Sequence, residues 1–142
     1  MSPGTGKEAY LRGIIKSSPD AIVIANPETK EIVEVSQAAE EFFGCSQKEL
    51  QSTDIRALHP TEDQQRYEQL FEQHYEQQPA VLSHFDDGSP VFAVTADGDR
   101  IPVEINAWAI EDTIHDQPLF QGIFRDISER LRRQRELQRK NE

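Results

Sequence analysis

The chain has 142 residues, 36% of them hydrophobic, and sets 15 Lys+Arg against 26 Asp+Glu for a formal net charge of −11. That length suits one domain with a short extension. The charge repels nucleic-acid phosphates and anionic lipid, so neither is expected as a partner of the domain body, and no apolar run approaches the roughly 20 residues of a membrane helix.

The opening Met1-Ser2-Pro3-Gly4-Thr5-Gly6 lacks the apolar core of a signal peptide and reads as a disordered lead or a cloning scar. Cys45 is the single cysteine, so no internal disulfide can form, and a reducing cytoplasm is the expected compartment. Charge is unevenly placed. Residues 129–142 carry six cations (Arg130, Arg132, Arg133, Arg135, Arg139, Lys140) and three anions, whereas the remaining 128 residues carry 9 cations and 23 anions. The tail is thus a different material from the body. Five lysines stand against ten arginines. Excess carboxylate with few lysines reads either as an ordinary acidic domain or as one from a halophilic cytoplasm, where salt screens self-repulsion; the latter implies folding that strengthens as salt rises.

In chain order, 7–17 reads as a flanking helix. Tyr10, Leu11, Ile14 and Ile15 form one apolar stripe, ended by Pro19. Ala21 to Ala25 is a β-branched run and Glu31 to Ser36 a second strand, with Val33 and Val35 opposite Glu34; Asn26 to Lys30 is the turn between them. Gln37 to Phe43 reads as a short helix closed by Gly44. Ser46 with Glu49 three residues on is a capping box. Ile55 and Leu58 mark a further helical turn. The clearest helix of the body is Thr61 to Gln77, where Tyr67, Leu70, Phe71 and His74 repeat at i, i+3, i+4, i+7. Pro90 to Ala96 alternates, with Phe92, Val94 and Ala96 on one face. Asp97-Gly98-Asp99 is a hairpin turn. Ile101 to Ala109 sets Val103, Ile105, Ala107 and Ala109 opposite Glu104, Asn106 and Trp108. A polar loop over 111–118 leads to a last strand, Leu119 to Arg125, and the charged tail from Ser128 is helical. Strands and helices fall in separate runs, which predicts an α+β fold with an antiparallel sheet.

These residues resemble a PAS domain. The resemblance rests on five stretches in order: Ser18-Pro19-Asp20-Ala21-Ile22; Val35 to Gly44; Leu58-His59-Pro60-Thr61-Glu62-Asp63; Asp97 to Glu104; and Arg125-Asp126-Ile127-Ser128-Glu129-Arg130. It covers about residues 14 to 130, with the domain proper at 18–128 and a signalling helix beginning at 129–142. It implies a five-stranded antiparallel sheet cupping a pocket, with short helices and one longer helix on one face. It also implies a sensor and dimerisation role. The chain departs from the family at Asn26 and Ser36, where Asp and Asn are frequent; both are small polar turn formers, so no change of fold is expected.

Cofactor readings follow from the resemblance. The reactive Cys of flavin-binding relatives aligns with Asp54 and their flavin-contacting Gln with Phe124, while Cys45 lies nine positions away, so flavin is disfavoured. The axial His of haem-binding relatives aligns with Tyr67. His74 is the substitute on the same helix face, and it reads more simply as a core histidine near a helix end, so haem is disfavoured too. His84, Asp86 and Asp87, and separately His115 and Asp116, do not make a metal set; Asp86-Asp87-Gly88 is turn chemistry, and His59 reads as a cap or packing residue. Signatures of catalysis are absent, so the segment is not expected to be an enzyme.

The aromatic set Phe42, Phe43, Tyr67, Phe71, Phe92, Phe120 and Phe124 reads either as core or as pocket wall. Inward positions place Val35, Phe43, Tyr67, Phe71, His74, Val94, Ile105 and Phe124 around one centre. A ligand there would be small and apolar or aromatic, its polar atom on Tyr67 or His74. Tyr10, Leu11, Ile14, Ile15 and Trp108 are expected to form an interface on the outer sheet face. Asp126 is expected to cap the tail helix and pair with Arg130 as a signal junction. The tail reads either as a solvated helix or as a dimeric coiled coil, for which Ile127, Leu131 and Leu137 give an imperfect heptad. The resulting reading is a cytoplasmic sensory or relay module of haloarchaeal type. It forms a homodimer and passes a signal through its tail to an output domain such as a histidine kinase, without membrane contact of its own. The alternative is a homodimerisation module without ligand.

Overall fold

The computed structural model describes residues 10, 12–76, 80–112 and 117–141. Residues 12–16 are helical (α1). Strands β1 (Ala21–Ala25) and β2 (Ile32–Val35) follow, then helices α2 (Gln37–Phe43) and α3 (Gln47–Gln51), two 3₁₀ turns at Ile55–Leu58 and Thr61–Asp63, and α4 (Gln64–Glu76). The second half holds β3 (Ala80–Leu82), β4 (Phe92–Val94), β5 (Arg100–Asp112), β6 (Gln117–Asp126) and the exit helix α5 (Ser128–Asn141).

All pairings are antiparallel, in the order β2-β1-β6-β5-β3, with β4 also on β5. β3 pairs with residues 105–107 and β4 with residues 100–102 of β5. The two short strands therefore share one edge, and the layout is the expected five-stranded sheet with its last strand interrupted. Helices α2, α3 and α4 pack on the inner face, where the main core collects around Val35, Phe43, Val91 and Val103.

Four local readings change. Ile32, not Val33, enters the core, because the β1–β2 register slips between Ile24 and Ala25. A bulge of one residue moves the following side chain to the other face, so Val33 is exposed and Glu34 stands opposite Ile24 on the outer face. Val91 and Ala93 are fully buried, while Phe92 and Val94 point the other way and are half-buried. Ala80–Leu82 is a strand that three residues after Pro79 do not advertise; β5 supplies its ladder. Finally, the β5–β6 hairpin reaches through Glu111↔Pro118 and Asp112↔Gln117, beyond the expected strand ends. The sequence there is polar, so apolar alternation no longer marks the strand.

The Asn26 and Ser36 positions show how the departures are accommodated. Asn26 Oδ1 accepts the N–H groups of Glu28 and Thr29 at 2.8 and 3.1 Å, closing the β1–β2 turn. Ser36 is wholly buried. Its hydroxyl donates to Asp20 O at 2.7 Å and accepts from Ile22 N–H at 2.8 Å and Ala39 N–H at 3.2 Å. One oxygen thus caps α2 and fixes the start of β1. Ser36→Ala removes the partner of the buried Ile22 N–H and of the part-buried Asp20 carbonyl, together with the α2 cap, and is expected to cost about 2 kcal/mol. Urea unfolding measures it, and a loss below 1 kcal/mol would contradict this role.

Candidate functional site

The inner face of the central strands is lined by small residues. In register, Val23, Gly122 and Ala107 lie side by side across β1, β6 and β5, next to the row Ala25, Phe120 and Ala109. Helix α4 and the first 3₁₀ turn span this face but do not fill the space over it. The result is a cavity of about 60 Å³ bounded by Ala25, Ala107 and Gly122 below, Leu70 and Phe71 above, and Leu82, Val91 and Ile105 at the side. A Cβ placed on Gly122 would meet Ile105 Cγ2 at 3.4 Å and Phe124 Cε1 at 3.6 Å, ordinary contact distances. At about 24 cal/mol per Å³, the void costs roughly 1.5 kcal/mol.

Among the described residues, two polar side chains reach the cavity, His59 and Tyr67. Their rings stack, with centroids 4.2 Å apart and planes 14° from parallel. Both hold the backbone of Phe92. The Phe92 N–H donates to Tyr67 Oη at 2.8 Å, and His59 Nδ1 lies 2.8 Å from Phe92 O. A carbonyl only accepts, so Nδ1 carries the proton and Nε2 is a bare acceptor. Geometry explains the grip. Phe92 pairs with Pro102 on β5, flanked by the bond from Val103 N–H to Val91 O at 2.9 Å. Phe92 therefore sits at a non-bonded position of the ladder, and its N–H and C=O face away from β5. Such edge groups need partners, and His59 and Tyr67 provide them.

Burial among apolar side chains lowers the His59 pKa to about 4, opposed by its bond to Phe92. Burial likewise raises the Tyr67 phenol. At neutral pH the site is therefore uncharged.

Of the residues expected around the centre, Tyr67, Phe71, Ile105 and Phe124 line the cavity. Val35 and Phe43 are buried beside it as core. Val94 lines a separate surface cleft with Phe43 and Leu58, since β4 presents Val91 inward instead. The backbone of His74 belongs to α4, and its side chain lies outside the described residues, as do Leu11 and the His115–Asp116 pair. His59 was legible as a packing residue but not as a cavity residue. Its one signal is its place next to Pro60, just before the long helix.

The expected Asp126–Arg130 pair does not form. Asp126 Oδ1 accepts the Ser128 N–H at 2.8 Å, at the first turn of α5. Arg130 Nη1 instead reaches Glu104 Oε1 on β5 at 3.2 Å, tying the helix root to the sheet. On the outer face, Ile15 packs with Ile22, Ile24, Leu119, Ile110 and Ile123. Trp108 is half-buried, and Tyr10 and Ile14 are exposed.

Flavin and haem do not fit this site. An engineered cavity of about 150 Å³ takes a single benzene, and this one is less than half that size. Asp54 is committed to Arg56 at 2.6 Å, and its carboxyl is held below the usual range by that bond. Phe124 stacks edge-on against Phe43 with centroids 5.3 Å apart. Tyr67 Oη is engaged with Phe92. Among the described residues no group of three or more His, Cys, Asp or Glu is placed to hold a metal. Asp87 is spent on the Ser89 N–H and hydroxyl and on Arg66. No described helix is long and apolar enough to cross a membrane.

The domain is thus an antiparallel sheet with an apolar cavity on one face, followed by the terminal helix α5. The sequence profile of a family described as PAS domain matches residues 19–129. The sensor protein FixL of Bradyrhizobium diazoefficiens is 26% identical over 134 residues, which cover 93% of this chain and 25% of that protein. The chain thus spans about a quarter of the length of this curated relative. Two crystal structures share the fold. The PAS domain of an HTR-like protein from Haloarcula marismortui has a TM-score of 0.67 at 18% identity, over 87% of this chain and 93% of that one. A PAS domain from a two-component sensor histidine kinase has a TM-score of 0.68 at 11% identity, over 86% of this chain and 97% of that one. The chain belongs to the PAS domain family. It is a sensory domain of the kind that signal transducers such as histidine kinases carry.

The neutral His59 makes stability depend on pH. An unfolded histidine titrates near 6.5, the folded one near 4. Between these values the unfolded state binds more protons, so stability is full above 6.5 and is lost as pH falls towards 4, by up to about 3 kcal/mol. Urea unfolding of the wild type and of His59→Asn at pH 7, 5.5 and 4 isolates this term. The wild type is expected to lose more stability than the variant across that window, and parallel losses would contradict a neutral His59.

Proposed function

We propose that the cavity is the sensing site and that its state is passed through the Phe92–Pro102–Ile127 connection to α5, which leads to an output domain outside this chain, such as a histidine kinase. The observation that carries this reading is a relay of backbone bonds. Cavity-lining His59 and Tyr67 hold both polar groups of Phe92. Its partner Pro102 turns its carbonyl to the other side and accepts the Ile127 N–H at 2.9 Å. Ile127 is buried, and its carbonyl takes the first N–H bond of the exit helix, from Leu131 at 3.0 Å. A shift of the His59–Tyr67 stack therefore moves β4, and β5 with it, at the point where α5 is rooted. Signalling then needs two arrangements of this edge that differ in the exit of α5.

A second reading, a homodimerisation module without ligand, draws support from the outer face. Ile15 packs on the Ile22–Ile24–Leu119 cluster, Tyr10 and Ile14 are exposed, and Trp108 lies on that face of β5. A second copy would cover them. Cytoplasmic location and adaptation to high salt are part of the proposal under either of the two readings.

Pressurised xenon separates them. Xenon enters dry apolar cavities. In ¹H–¹⁵N and methyl spectra it is expected to shift Ile105 and Leu70 together with the Ile127 amide and the first turn of α5. A response confined to the outer face, or cavity shifts without any movement at Ile127, would contradict the sensing relay.

A further inference from the structure

We infer that the cavity selects small, neutral molecules that donate one hydrogen bond, and that His59 Nε2 is the atom that recognises them. This rests on the reading of the cavity as the sensing site and names its ligand class.

Four observations converge. The tautomer of His59 is fixed, because Nδ1 faces the Phe92 carbonyl at 2.8 Å. Nε2 is therefore an acceptor, and no described residue supplies it with a donor. His59 lines the cavity, whose walls among the described residues are otherwise apolar apart from Tyr67, and the Tyr67 oxygen already accepts from Phe92. A ligand that reaches this wall must donate to Nε2 to avoid leaving it bare.

Charge narrows the class. A carboxylate or phosphate would enter an apolar enclosure without a counter-charge, since the histidine is neutral at pH 7. That desolvation is prohibitive for an unpaired ion. A cation meets the same barrier. Size narrows it further. If about 150 Å³ takes the six carbons of benzene, about 60 Å³ takes two or three heavy atoms. Short-chain alcohols have this size and carry one hydroxyl donor. Water is smaller, but among the described residues it finds only His59 and the Tyr67 hydroxyl, the lower limit of the two to four polar partners a buried water needs.

Ethanol and dimethyl ether test the inference directly. They are isomers with the same heavy atoms, and only ethanol donates a hydrogen bond. Each is titrated into the chain labelled with ¹⁵N-histidine at pH 7. Long-range ¹H–¹⁵N spectra report Nδ1 and Nε2 separately, and cavity methyl groups report occupancy. Ethanol is expected to bind about fivefold more tightly than the ether, the equivalent of one neutral hydrogen bond, and to move the His59 Nε2 resonance upfield. The ether should shift the methyl groups alone. In His59→Asn, whose amide still reaches Phe92 O but which lacks the Nε2 acceptor, the preference for ethanol should vanish. Equal binding of the two isomers to the wild type, or an Nε2 resonance that stays in place when ethanol fills the cavity, would overturn the inference while leaving the xenon result, and so the cavity reading, intact. Failure of xenon, ethanol and ether alike to perturb the cavity methyl groups would overturn both.

Discussion

The two backbone groups of Phe92 are the constraint on which the working parts of this domain depend. β4 is only three residues long. Its outward N–H and C=O would face the interior without partners, at a cost of about 1–3 kcal/mol each. Tyr67 from α4 and His59 from the segment before it satisfy one each. The same two bonds close the side of the cavity, set the tautomer of His59, and press the edge strand onto β5. The fold cannot relax one of these features without disturbing the others. In the proposed relay, this grip is what links the small void to the root of α5.

The cavity itself follows from residue size. Central strands that face a helix layer are ordinarily filled to crystal-like density. Here Ala25, Ala107 and Gly122 leave the inner face shallow just where Phe71 and Leu70 bridge over it. Gly122 could carry a methyl group at ordinary contact distance, so geometry does not force the void. The outer face behaves differently. It is apolar and partly covered by Ile15, with Glu34 buried at its border. Burial raises the Glu34 carboxyl, while Arg12, Lys16 and Gln47 pull it down again. The domain thus has a cavity on one side and an apolar packing cluster on the other, joined through the sheet.

Much of this was legible from residue order. The five stretches that mark the family each fall on a structural joint: the Ser18–Ile22 entry to β1, the Ser36 cap of α2, the turn before α4, the β4–β5 hairpin and the junction to α5. The capping box at Ser46 and Glu49 is present, as is the left-handed Gly44 that closes α2. What failed was register. Over residues 90–96 both alternating sets, Phe92-Val94-Ala96 and Val91-Ala93-Thr95, contain apolar residues, and a one-residue choice flips the strand. Hydrogen bonding at Phe92 and Pro102 decided it, which no pattern of hydrophobicity records. The β2 bulge that swaps Val33 for Ile32 is of the same kind. The cavity's lining was half legible, because helix periodicity fixes Tyr67 and Phe71. His59 and Gly122 lie in a loop and in a strand where size and backbone geometry matter more than polarity. Arg130 chose Glu104 because α5 leaves along β5, a tertiary direction that an i,i+4 argument does not contain.

The central claim is that the grip on Phe92 holds the root of the exit helix. Native-state hydrogen exchange of Tyr67→Phe addresses it most directly, because the substitution removes one oxygen and leaves the ring in place. Released from Tyr67, the Phe92 amide should exchange faster, and so should Ile127, whose bond to Pro102 lies across β5 from it. The amides of the β1–β2 pair, on the far side of the sheet, should keep their protection. If Phe92 loses protection while Ile127 keeps it, the cavity and α5 are not coupled by this route.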